Sequence, residues 1–380
     1  MVVLYMPVAQ ESKTVIIPMA GIRCEQSVLF PQAGSENPRD RGVYVVSVSK
    51  RFLPGAGMCV ACAFAGPAVF GEVPGLSEPL YVKNLSPVAG LLGLPSQRRA
   101  DTQRAGSYEI ALHSSVASHY VAESAAMEQV NLDGETLRFA LQLRYGLADS
   151  WDIQLEVPWL DHSAGKLDSA IDSWHDFWGM SDGGRSGVAH DILDFHYLDP
   201  AARFSLTDDA AGLGDISLSL SHAFYRDDNS AMSVVAGYKF ATGDEEALLG
   251  SGEDDAFLAL RFSGAHLANL PLRWHGQLGY LHAGSSDVLG SRQQSHLWFA
   301  GLSLDWALAQ KVSLFAQLDV HSAPLDSELT ALGDEAVLGS LGGRWRFADN
   351  WALDFSFVED LQVETGPDIT FQASLRYVLH

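Results

Sequence analysis

The chain has 380 residues, 47% hydrophobic and 10% aromatic, with 35 glycines and a formal charge of −23. So acidic a chain lacks the basic surface that nucleic-acid binding needs, so that class is disfavoured. No run of about eighteen uninterrupted apolar residues follows residue 70, so no helical membrane span is expected there; a mean hydropathy near zero is also what alternating strands produce.

Residues 1–44 show no period and read as an over-extended start. Lys50-Arg51, an apolar run from Phe52 to Phe64 and the small-residue site Ala63-Phe64-Ala65 follow the order of a secretory signal peptide. A lipoprotein attachment at Cys62 is the poorer alternative. Cys24, Cys59 and Cys62 all precede the strand-rich region, so no disulfide framework is expected within it. Residues 1–65 are thus read as an N-terminal extension and signal peptide. Residues 66–106, broken up by Pro and Gly, are a lead-in that either lies in the periplasm or tucks into a barrel lumen as a partial plug.

From 107 to 380 the sequence alternates with period two. In the last stretch Ile369, Phe371, Ala373, Leu375, Tyr377 and Leu379 alternate with Thr370, Gln372, Ser374 and Arg376, giving one apolar and one mostly polar strand face. The same pattern recurs at 108–120, 137–147, 151–159, 216–224, 234–240, 255–262, 272–280, 298–306, 312–320, 337–347 and 351–357, which makes twelve strands. Connections after the even strands are short and those after the odd strands generally longer, one running from about 160 to 212. Aromatics (Trp151, Trp159, Trp306, Trp345, Trp351, Tyr377) sit near strand ends. Even strand number, asymmetric connections and aromatic rims predict an all-β, transmembrane, antiparallel up-and-down barrel in the outer membrane of a Gram-negative cell, with both termini periplasmic. Its partners would be outer-membrane lipid and the barrel-assembly machinery. The alternative is a soluble sandwich or lipocalin-like barrel, in which the apolar face would point inward.

Several stretches together resemble a known family: Pro79-Leu80-Tyr81-Val82-Lys83-Asn84-Leu85-Ser86-Pro87; Ile171-Asp172-Ser173-Trp174-His175-Asp176-Phe177-Trp178-Gly179 with Gly184-Arg185; Gly212-Leu213-Gly214-Asp215-Ile216; and Lys239-Phe240-Ala241-Thr242-Gly243-Asp244 followed by Gly250-Ser251-Gly252. The chain resembles, over about residues 79–380, an uncharacterised proteobacterial barrel family catalogued as domain of unknown function 3187. The resemblance implies an outer-membrane location and no established activity. His380 departs from it, since such closing strands typically end in Phe.

Two constellations could carry function. In the long loop, Leu167, Ala170, Ile171, Trp174, Phe177 and Trp178 recur at spacings of three and four, which predicts a short amphipathic helix. It would cap the rim, act as a lid or touch the outer leaflet, and Ile171, Trp174, His175, Phe177, Trp178 and Arg185 are the candidate gate. The polar strand faces carry Arg138, Arg144, Arg273, Arg344, Arg346 and Asp354, together with Arg261, Arg376, Glu156, Asp215, Asp305 and Asp319. These read either as an internal ion-pair network or as a charged pore that passes or binds a small polar solute. His113 and His119 near Ser115 raise a hydrolase reading, but residues two or four apart on one strand are not reliably in contact. The loop's aspartates follow no EF-hand spacing, and no catalytic or nucleotide motif occurs in its required context. No enzyme activity, cofactor or metal is therefore expected. A lipid-modifying enzyme and a non-conducting structural or surface-contact barrel are the alternatives to a solute-passing barrel.

Overall fold

Alternation becomes strand wherever it was read. The computed structural model describes residues 77–165, 192–200, 203–265, 267, 272–362 and 365–379. β1 (Tyr108–Ala125) and β2 (Glu128–Ala148) form a long hairpin, and β3 (Trp151–Ser163) follows across Asp149-Ser150. Three short strands come next: β4 (Asp194–Leu198), β5 (Arg203–Leu206) and β6 (Ala210–Leu213). Then come β7 (Ile216–Arg226), β8 (Ser230–Phe240), β9 (Asp255–Gly264), β10 (Leu272–Ala283), β11 (His296–Ala309) and β12 (Val312–His321). β13 (Ala336–Ala348), β14 (Trp351–Asp360) and β15 (Ile369–Leu379) complete the chain. All but β4, β5 and β6 form a closed antiparallel ring of twelve strands. Closure is made by β1 on β15, with Tyr108 opposite Leu379 and Ser118 opposite Ile369. Closure leaves the ring no unpaired edge.

Facing decides between the two barrel types. On β11 Leu302 is 49% exposed while its neighbour Ser303 is fully buried, and every ring strand repeats the pattern with apolar side chains outward. Ile110, Leu141, Leu260, Leu278, Leu314 and Phe355 stand on the outer surface; Glu109, Gln142, Arg261, Gln277, Ser313 and Asp354 are buried inside. A soluble barrel would have the opposite facing, so this is a transmembrane barrel. Aromatic pairs mark both rims: Trp351 with Tyr377 (ring centroids 4.7 Å apart) and Tyr108 with Tyr145 (6.4 Å) at one, Phe139 with Trp159 (6.1 Å) at the other. Placing a charge in this belt therefore has a measurable cost. Leu302→Arg is expected to lower stability by about 2–4 kcal/mol near the bilayer midplane, read as a lower denaturant midpoint for folding into lipid vesicles. An unchanged midpoint would mean that this face does not contact lipid.

Short turns collect at one end of the ring and long loops at the other, with one exception. The first odd connection, expected to be long, is instead a tight turn at Ala126-Met127. β1 and β2 continue in register beyond the ring to Ala125 opposite Glu128, so most of residues 121–136 is strand. The projecting part of β2 pairs with β4, and β4 with β5, which adds a small sheet at the long-loop end. β6 and β7 both pair with β3 and are offset by one residue between them. The break falls at Pro158, which has no N–H to give the ladder, while its carbonyl still accepts a bond from Gly214 N–H at 2.9 Å. The signal-peptide region, the 167–178 helix and His380 lie outside the described residues.

Candidate functional site

The ring encloses a polar lumen, and residues 77–106 occupy it. The segment leaves the short-turn end at Ser77, climbs to a single 3-10 turn at Ala89–Leu91 near the long loops, and descends again to Gly106 before entering β1. Residues 77–106 contact inward-facing side chains of the wall, among them Arg144, Gln317 and Asp255. Apart from the Gly106 and Ser107 bonds to Gly146, the segment meets the wall mainly through side chains. Two wall glycines make room for it: a Cβ on Gly146 would lie 1.9 Å from the Arg104 carbonyl oxygen, and one on Gly301 would lie 2.3 Å from the Gln97 amide nitrogen.

Three groups of contacts hold this plug. At the short-turn end Glu78, fully buried, is ion-paired with Arg98 (3.1 Å), Arg99 (3.2 Å) and the wall residue Arg144 (3.0 Å). Arg98 also meets Glu109 at 3.1 Å and donates to Gln142, and Arg144 meets Asp152 at 2.7 Å. At mid-height Tyr81 stacks on His113 with ring centroids 3.8 Å apart and donates its hydroxyl to Glu156 at 2.9 Å. Glu156 is itself paired with Arg138 at 2.7 Å, and Arg138 donates to the Tyr81 oxygen. Gln317 accepts from the Leu80 N–H at 2.9 Å and donates to its carbonyl at 3.2 Å.

At the long-loop end the family-like motifs converge. Asp215 accepts from the backbone N–H of Thr242 (3.0 Å), Gly243 (2.9 Å) and Ser251 (3.1 Å), and its carboxylate meets Lys239 at 2.7 Å. Lys239 also reaches Asp255 at 3.3 Å, and Asp255 accepts from the plug's Gly93 N–H at 2.7 Å. Gly212–Asp215, Lys239–Asp244 and Gly250–Gly252 are thus one knot that ties the 241–254 loop to the plug tip. Val88, Leu91 and Leu92 beside that tip pack into an apolar cap with Phe195, Leu281, Leu289, Leu297, Leu329 and Leu332 from the β4 strand and the long-loop end of the wall.

The residues singled out in sequence fall as follows. Arg138, Arg144, Arg344 and Asp354 are buried in the lumen with partners, Arg344 making a two-pronged contact with Asp354 at 2.6 and 2.8 Å. Arg376 joins that pair at 3.1 Å, so one carboxylate links β13, β14 and β15. Arg273 lies near the short-turn end, 3.5 Å from Asp305. Arg346 is also at that end, where its backbone N–H donates to the Lys311 carbonyl at 2.8 Å. Ile171, Trp174, His175, Phe177, Trp178 and Arg185 lie outside the described residues. The suggested Ser115–His113 pairing gives way to a contact between His113 and Ser374 at 2.7 Å, covered by Tyr81. Glu78, Arg98, Arg99, Glu109 and Asp152 were missed. The period-two rule could have found Glu109 and Asp152, because each sits between outward apolar neighbours. Around the plug separate cavities remain, one of about 80 Å³ bordered by Lys83, Gly93, Glu156 and Lys239, and one of about 240 Å³ at the short-turn end bordered by Arg99, Arg226, Arg273 and His275. Among the described residues no cluster of acidic, His or Cys side chains suits a metal ion.

No curated protein matches the sequence. Among solved structures, the COG4313 outer membrane channel from Pseudomonas putida F1 is 15% identical, with 74% of this chain and 98% of that one covered and a TM-score of 0.49. The NanC porin is 8% identical over 72% of this chain and 100% of its own, with a TM-score of 0.41. The Ralstonia pickettii toluene transporter TbuX is 10% identical over 78% and 99%, with a TM-score of 0.38. One family model, described as "Protein of unknown function (DUF3187)", matches residues 58–379, and the chain belongs to that family.

Proposed function

We propose that this protein is an outer-membrane channel, with both termini periplasmic, that is closed by its own residues 77–106 and passes a small polar solute when that segment moves. The observation that carries the reading is the chemistry of the plug–wall interface. Apart from the apolar tip and a smaller apolar contact of Leu80 and Val82 with Phe315, Leu338 and Val358, the plug is held mainly by ion pairs and hydrogen bonds, which water can replace, so its withdrawal leaves a hydrated, charged bore. Buried ion pairs are a poor way to stabilise a permanently closed barrel, since well-packed apolar residues of similar volume do as well or better. The arginines at the short-turn end, Arg273 and Arg346 among them, would then set the sign of the ions admitted. Replacing both by alanine is expected to shift the zero-current potential in a salt gradient toward cation preference. A potential that stays put, in a channel that still conducts, removes them from selectivity.

The apolar cap favours a second reading, a non-conducting structural barrel. The two differ in whether purified protein in planar bilayers ever passes current: discrete conductance steps support the channel, and silence under conditions that loosen the plug supports the structural barrel. A lipid-modifying activity has no support in the His113–Ser374 contact, which the plug covers.

A further inference from the structure

Arg261 is placed in the lumen by the same alternation that sends Leu260 and Phe262 to the outside. It is 4% exposed. Its register neighbours are uncharged, Ser233 on β8 and Gln277 on β10. Arg138, Arg144, Arg344 and Arg376 each meet a carboxylate, but among the described residues Arg261 has no ion pair and no hydrogen bond, and its Nε is buried without an acceptor. A guanidinium does not give up its proton in a protein. A buried charge that cannot neutralise itself needs a counter-ion.

The space beside it has the right size and polarity for one. A cavity of about 20 Å³ (the volume open to the centre of a water molecule) is bordered by Arg261, Lys83, Gln154, Ser96, Ser217 and Ser219. That is room for about one particle the size of a water, too little for a phosphate, a sulfate or an organic acid. Among the described residues the side chains of Gln154, Ser96, Ser217 and Ser219 have no hydrogen-bond partner, so their donors can turn inward. Glu156 also borders the cavity, but its carboxylate is already engaged by Arg138 at 2.7 Å, Tyr81 at 2.9 Å and Lys83 at 3.8 Å. The nearby charges Glu78 and Asp152 are likewise matched, by Arg98, Arg99 and Arg144.

We propose that Arg261 holds a single monovalent anion of halide size in the lumen, as a resident counter-ion enclosed by the plug. The site stands on the unpaired buried guanidinium and does not need the barrel to conduct, so a silent barrel and an empty site are separate results. The test is to refold the full chain in sodium bromide and collect bromine anomalous diffraction. A peak beside the Arg261 guanidinium is expected; bromide found only on the outer surface, or a water refined at that position, overturns the proposal. In solution, thermal unfolding is compared in chloride and in gluconate, which is too large for the cavity. The wild type is expected to melt higher in chloride, because a ligand that binds only the folded state raises the midpoint. Arg261→Met should abolish the difference, while Arg226→Met, at the exposed rim, should keep it. A chloride effect equal in Arg261→Met and wild type contradicts the assignment, and if Arg261→Met does not fold the anomalous map decides alone.

Discussion

Replacing Glu78 by alanine is expected to open the barrel. In the folded protein this carboxylate faces Arg98, Arg99 and Arg144 at 3.0–3.2 Å and also accepts from the Arg99 N–H at 2.9 Å. Removing one partner of a buried ion pair costs about 3–5 kcal/mol, because the remaining charge stays desolvated. The losses fall unevenly. Arg144 keeps Asp152 and Arg98 keeps Glu109, so the wall retains its pairs, whereas Arg99 on the plug loses its carboxylate. The penalty therefore acts on plug docking rather than on the ring, and it favours the undocked state by a factor of roughly 10²–10⁴. In planar bilayers Glu78→Ala should show far more frequent conductance steps than the wild type while still folding, read as a different gel mobility before and after boiling. Loss of the folded barrel, or a current no different from wild type, would show that Glu78 does not hold a gate.

The second large effect belongs to the ring itself. Asp354 takes both prongs of Arg344 and the Nε of Arg376, and Arg376 continues to Glu109 at 3.4 Å and to the Pro79 carbonyl at 3.2 Å. This carboxylate thus connects β13, β14 and β15 to the closing seam with β1. Asp354→Ala leaves Arg344 without its bidentate partner in a buried position. A destabilisation of about 3–5 kcal/mol is expected, read as a lower denaturant midpoint for folding into vesicles, with the seam between β1 and β15 the first region to exchange its amide hydrogens. A shift below about 1 kcal/mol, the range of exposed ion pairs, would mean that the triad is hydrated and contributes little to closure.

Much of this architecture is legible in the residue pattern because a membrane barrel writes its two faces directly into the sequence. Each of Leu302 and Ser303, or Leu375 and Arg376, reports its side of the wall by parity alone, and strand number and closure follow from counting. Parity fails where both faces of a strand are buried or wet: the β1–β2 projection beyond Ser118 packs on the β4 sheet rather than on lipid, so its alternation fades and it reads as loop. The content of the lumen is harder still. Parity sends Arg138, Arg144 and Arg344 inward but says nothing of what they meet there. Their partners, Glu78 and Tyr81, come from an irregular segment with no period, and their pairing depends on a path through three dimensions that Pro and Gly allow but do not specify. The same limit holds for the Asp215–Lys239–Asp255 knot, whose members are recognisable as motifs yet join only in the folded loops. Arg261 looks like every other lumen arginine in sequence; only its surroundings set it apart.

If residues 77–106 are a movable gate, a covalent lock between plug and wall must silence the channel. A Cβ built on Gly301 lies 2.9 Å from the Gln97 Cγ, so cysteines at these two positions are within reach of a disulfide. In a Glu78→Ala chain whose native cysteines are replaced by serine, Gln97→Cys with Gly301→Cys should give silent bilayers when oxidised and conductance steps when a reductant is added. Equal current before and after reduction, with the cross-link shown by mass, would contradict a gate formed by this segment.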